Sequence, residues 1–122
     1  FLFIDNTYLT TDWPYTKIME DFLNDVKARM GGNTEIKRIN LDHKLFSSFR
    51  QLSYLPKGYD ELVVKTDVVD HIKGLFHQGK LVAVFSTKGY PPLWATDTEL
   101  SVDIEAQLDF GLNLIVYAIK DR

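Results

Sequence analysis

A chain of 122 residues is long enough to bury one hydrophobic core and too short to divide into two ordinary domains. Its net charge of -3 makes no electrostatic case for nucleic acid or an anionic membrane surface, and no apolar run approaches the roughly 20 residues that cross a bilayer. With no cysteine, a thiol nucleophile, a disulfide, a Cys-ligated zinc and an iron–sulfur cluster are all excluded, although the compartment stays open.

The chain opens on Phe1-Leu2-Phe3-Ile4, with neither a methionine nor a signal-peptide pattern, and so reads as an excised or processed piece that begins inside a strand. Phe1–Ile4 is expected as a buried strand ending at Asp5-Asn6. A loop over 7–11 follows, with Asp12 as N-cap and Pro14 in the first helical turn, where its missing N–H costs nothing. Tyr15, Ile18, Met19, Phe22, Leu23, Val26 and Met30 then recur at three- and four-residue steps, the apolar face of an amphipathic helix. Gly31-Gly32 stops it, and Lys27 and Arg29 suit the negative end of its dipole.

Thr34–Leu41 is expected as an extended segment returning to the sheet. Leu45, Phe46 and Phe49 suggest a short helix after Asp42-His43, and Leu52–Tyr59, with Pro56 and Gly58, a loop. Glu61–Asp70 is compatible with a short strand or an irregular edge. Ile72–Phe76 and Leu81–Phe85 flank His77-Gln78-Gly79-Lys80, the pattern of a β-hairpin. Leu81–Phe85 is an unbroken, β-branched-rich apolar run that fits a strand buried on both faces of a parallel sheet. Beyond a Tyr90–Trp94 loop, Thr96 or Asp97 is placed to cap a helix carrying Leu100, Ile104 and Leu108, with Gly111 as its stop. Leu112–Ile119 then reads as a last, almost wholly apolar strand. There are no repeats and no charge blocks. The order favours a three-layer α/β/α sandwich, mostly parallel, with a β-hairpin addition.

Several of these segments resemble the bacterial domain-of-unknown-function 4159 family. Phe1-Leu2-Phe3-Ile4-Asp5 is similar to its "GGFLFID" strand without the leading glycines, and Asp42-His43-Lys44-Leu45-Phe46 to its "DHPLF" segment. Gly79–Ser86 is similar to its "GRLxVxxS" strand, Trp94 stands at its tryptophan, and Gly111–Ala118 is similar to its "GVNxVVYA" ending. The resemblance runs the whole length of the chain, and the family's first strand–helix portion would precede Phe1. It implies a class I glutamine amidotransferase-like, flavodoxin-like fold without a known activity, in proteins often exported or attached to the cell envelope. Two positions depart from the pattern. Lys44 replaces a usual proline, which leaves the turn after His43 less fixed, and Asn6 replaces a frequent second aspartate, which counts against a metal at that strand end.

Open α/β sheets bind ligands at the carboxyl ends of their strands. That places Asp5, Asn6, His43, Ser86, Lys88, Tyr90 and Trp94 as candidate ligand-binding residues. Tyr90, Pro91, Pro92 and Trp94 offer a rigid amphipathic recognition surface, or else Trp94 closes over the core. Tyr8 and Trp13 would line the same end. Asp5, His43 and Ser86 are the candidates for catalysis. Amidotransferase chemistry lacks its cysteine, and Phe85-Ser86-Thr87-Lys88 is not the Gly-x-Ser-x-Gly elbow a serine nucleophile wants. Asp42-His43 is an acid–base pair on one reading and a helix cap with a packed histidine on another. No H-x-x-x-H or comparable spacing marks a metal, and no cofactor is expected. The leading expectation is a non-catalytic amidotransferase-like module that binds a protein partner or a small ligand, not nucleic acid, without inserting in a membrane. The alternatives are a hydrolase using Asp5 and His43 with Ser86 or a water, and a scaffold domain of a larger envelope-associated protein.

Overall fold

The fold is described from a computed structural model, which describes residues 1–5, 14–65, 68–95 and 103–121. Four strands form one sheet: β1 (Leu2–Asp5), β2 (Thr34–Arg38), β3 (Lys73–His77) and β4 (Lys80–Ser86), in the order β1-β4-β3-β2. Three longer helices accompany them, α1 (Pro14–Met30), α2 (Tyr90–Ala95) and α3 (Ile104–Val116), the last extended by a π-helical turn over Tyr117–Asp121. A 3₁₀ turn (Lys44–Phe46) and a π-helical turn (Asp60–Val64) lie in the long connection between β2 and β3.

The protein is therefore α/β, but its sheet is mostly antiparallel rather than mostly parallel. Of the neighbouring pairs only β1 and β4 are parallel, with Leu2 opposite Ala83 and Asp5 opposite Ser86. The antiparallel direction of β3 and β4 follows from their two-residue connection. Gln78 (φ 52°) and Gly79 (φ 77°) both take the left-handed conformation of a type I′ turn, whose twist matches that of the flanking strands. β2 adds antiparallel to β3, with Ile36 opposite Leu75.

The second correction is at the C-terminal end, where the expected helix, Gly111 stop and final strand are one continuous helix. The burial record explains why. Ala106, Gln107, Phe110, Asn113, Leu114 and Tyr117 are buried at three- and four-residue steps, a helical period that runs straight through Gly111. An apolar run of this length fits a strand or a buried helix equally well, and periodicity inside the run does not separate them. Gly111 is no stop: the Trp94 indole lies against it, and a Cβ there would stand 3.2 Å from Trp94 Cε2. The expected caps Asp12, Thr96 and Asp97, and Leu100, fall outside the described residues, as do Asn6, Tyr8 and Trp13.

Alternate residues of the sheet face different helices. Phe85 and Ile36 line a cleft with Leu23 of α1, while Val84 and, at the margin, Phe3 join the core built on Phe110 and Leu114 of α3. β4 carries an extra residue, Val82, opposite the Leu75/Phe76 step, so that Leu81 and Val84, three apart, both reach that same core. β4 is the central, buried strand its composition announces. β1 is not the buried strand expected of Phe1–Ile4: it lies at the edge of the sheet, with Phe1 and Leu2 exposed. On α1, Leu23 is buried and Met19 and Val26 half-buried, whereas Ile18, Phe22 and Met30 of the same apolar face are exposed.

Candidate functional site

The carboxyl ends of β1 and β4 bring together four of the seven expected ligand-binding residues. Parallel pairing sets Asp5 beside Ser86, and the turn after β4 carries Lys88 and Tyr90 back over them. The Asp5 carboxylate accepts the backbone N–H groups of Gly89 and Tyr90, both at 2.9 Å, and the hydroxyl proton of Ser86. Ser86 Oγ in turn accepts the N–H of Lys88 at 3.0 Å. Burial raises the Asp5 carboxyl from its ordinary 3.8 to about 6, against the lowering effect of these hydrogen bonds and with help from the charge of Asp60.

Lys88 is fully buried. Its ammonium lies 3.1 Å from Asp60 Oδ2 and 2.7 Å from Glu61 Oε1, and donates to the Val69 carbonyl as well. Asp60 also accepts the N–H groups of Glu61 and Val69, while its own N–H donates to the Lys88 carbonyl. Two carboxylates thus face one cation, and together they fasten Asp60, Glu61 and Val69 to the end of β4. The Tyr90 hydroxyl donates to the Pro56 carbonyl at 2.6 Å and is fully buried, with its proton held firmly by burial and the surrounding carboxylates. Among the described residues, no buried side-chain nitrogen or oxygen lacks a hydrogen-bond partner. The polar groups at this end are consumed by one another, and Ser86 has neither exposure nor a histidine to activate it.

His43 is not part of this cluster. Its ring packs near Phe76 and Tyr117, at 5.9 and 5.5 Å between centroids, and Phe76 pairs with Leu81 at the start of β4 rather than at its end. His43 and Ser86 therefore stand at opposite ends of the central strand, and the Asp5–His43–Ser86 grouping required of a hydrolase does not form. His43 is itself the cap of the Lys44–Phe46 turn, with Nδ1 accepting the Leu45 N–H at 3.0 Å, so the proton of the neutral ring is on Nε2. Asp42 does not take that role. Burial lowers the His43 pKa, opposed by the charge of Asp42.

The Tyr90–Trp94 segment is the short helix α2 rather than a recognition loop. Trp94 donates Nε1–H to the Gln107 carbonyl at 2.8 Å and packs on Phe3 and Tyr90, closing over the core. Its outer side lines a groove of about 460 Å³ between β1 and α3, with Phe1 and Phe3 along one wall and Leu108, Leu112 and Ile115 along the other. Leu108, Leu112 and Ile115 are exposed along α3, as is Ile119 in the π-helical turn beyond it. An apolar patch of this continuity on a described surface marks an interaction site more often than chance.

Sequence reasoning passed over Asp60, Glu61 and Asn113. Asn113, fully buried, accepts the N–H groups of Phe49 and Arg50 and donates to the Arg50 carbonyl, clipping the loop after the 3₁₀ turn to α3. The one available signal was an asparagine inside an otherwise apolar run, a position that demands partners. Among the described residues there is no group of three or more histidines and acids positioned for a metal, and no helix long and apolar enough to cross a membrane. No family model and no curated protein matches this chain.

Proposed function

We propose that this chain is a non-catalytic docking module that seats another protein surface on the apolar face formed by α3 and the edge strand β1. The observation that carries this reading is the groove of about 460 Å³ between Phe1, Phe3 and Trp94 on one side and Leu108, Leu112 and Ile115 on the other. Beyond the groove Ile119, in the π-helical turn that follows α3, is exposed as well. The reading keeps the protein-binding and scaffold expectations of the sequence and moves the binding surface from the carboxyl ends of the strands to the edge of the sheet. The class I amidotransferase-like assignment belongs to the same proposal. Helices on both sides of the sheet and the parallel β1–β4 pair are in keeping with it, and the absence of cysteine sets amidotransferase catalysis aside.

Photo-crosslinking tests the docking role. A benzophenone side chain introduced at position 115 gives a defined protein adduct in cells expressing the chain, and one at position 37, on exposed β2, does not. Equal yields from both positions, or none from 115, would remove α3 as the docking face.

A further inference from the structure

We infer that the α3 face is occupied by a second copy of this chain, with the two α3 helices packed antiparallel about a two-fold axis. The inference rests on the docking reading and names its occupant.

The exposed stripe has a spacing that specifies its own complement. Leu108, Leu112 and Ile115 on α3, and Ile119 in the π-helical turn that extends it, follow at steps of four, three and four, the sequence spacing of a coiled-coil seam. These steps read the same from either end, so an antiparallel copy sets Leu108 against the partner's Ile119 and Leu112 against the partner's Ile115. The groove against Phe1 and Phe3 provides the hollow into which a partner side chain inserts.

Charge supplies the orientation. Between Ala106 and Ile119 the only charged residue is Asp109, and it faces Arg50 of its own chain at 3.7 Å. The middle of the face therefore offers no charge to an ionic partner. Exposed Glu105 stands at the start of α3, and exposed Lys120, followed by Asp121, stands in the turn beyond its end. An antiparallel copy brings each Glu105 toward the other chain's Lys120 and opposes the two helix dipoles. A parallel copy would set like charges together at both ends. Self-association through one patch also closes on itself, as a two-fold interface must.

Sedimentation of the full chain at concentrations up to about 100 μM, above the micromolar constants that bound standard interfaces from the weak side, tests this directly. The expected result is a dimer whose dissociation constant rises at least about 30-fold in Ile115→Glu, with an unchanged far-UV circular dichroism spectrum. Glu105→Lys and Lys120→Glu each weaken the dimer, and the double swap restores it, which general loss of folding would not do. A dimer indifferent to Ile115→Glu, or singles and a double swap that behave alike, overturns the antiparallel assignment. A monomer at every concentration overturns the second copy as occupant, and an apolar dye, 8-anilinonaphthalene-1-sulfonate, then decides the underlying reading. Dye bound by the wild-type monomer and lost in Ile115→Glu leaves the docking face standing with a different occupant; no dye binding by either removes both.

Discussion

The carboxyl ends of β1 and β4 and the outer face of α3 differ in a way that inverts their apparent chemical promise. The first holds aspartates, a serine, a lysine and a tyrosine, the residue types from which active sites are made, and all of them, buried or in the case of Asp5 half-buried, are bonded to one another or to nearby backbone groups. The second holds leucines and isoleucines that would ordinarily be assigned to a core, and it stands open. Reactive residue types indicate a site only when some of their bonding capacity is left over for a ligand. At the end of the sheet that capacity is taken up in fastening Asp60, Glu61, Val69 and α2 to the strands. On the docking reading proposed above, the interaction surface is instead the exposed apolar face of α3.

Lys88→Met should break that contrast most sharply. It leaves the buried Asp60 and the half-buried Glu61 without their cation, and the expected loss is about 3–5 kcal/mol in chemical denaturation. A change below about 1 kcal/mol would mean that the cluster is solvated, and its residues would again be available to a ligand.

Asp5 sharpens the comparison through pH. Its folded pKa, about 6, lies above the ordinary 3.8, so between those values the folded chain holds a proton that the unfolded chain has released. Stability contributed by Asp5 is therefore full below about pH 4 and is lost as pH rises to about 6, a difference on the order of 3 kcal/mol. Asp5→Asn should flatten that part of the pH–stability profile, and an unaltered slope in the variant would show that the carboxylate is not buried as described.

The smallest effect belongs to His43, whose slope has the opposite sign. Its folded pKa is lowered, so the stability it contributes is present above the ordinary 6.5 and is lost as pH falls from there through the lowered folded value, where Nδ1 gains a proton and ceases to accept the Leu45 N–H. His43→Asn retains a capping oxygen without the titration, and His43→Ala should cost about 1 kcal/mol above pH 7. Equal acid sensitivity in wild type and His43→Asn would assign the transition to another group.

Much of the architecture is legible in local pattern. The periodicity of 14–30, the Gln78-Gly79 turn between two apolar runs and the central placement of β4 all follow from side-chain spacing and backbone preference. The directions of β1 and β2 and the long-range pairing do not. The run from Leu112 to Ile119 satisfies strand and helix alike until the buried partners of Asn113 and Tyr117 are known. Lys88 and Asp60 are 28 positions apart, and nothing in either segment alone announces the other. His43 and Ser86 each suggest chemistry, and only the pairing of Phe76 with Leu81 shows that they stand at opposite ends of β4.

What the amino-acid sequence determined by itself is therefore local: an α/β chain without thiol chemistry, its first long helix, its hairpin and its central strand. These depend on interactions within a few residues, which composition and spacing encode directly. Only the tertiary structure decided the direction of the sheet, the helical state of the C-terminal run, the internal consumption of the polar cluster and the exposure of the α3 stripe. Each of those is set by which distant segments meet, because a buried hydrogen bond or an uncovered leucine is a property of a neighbour's position and not of the residue that carries it.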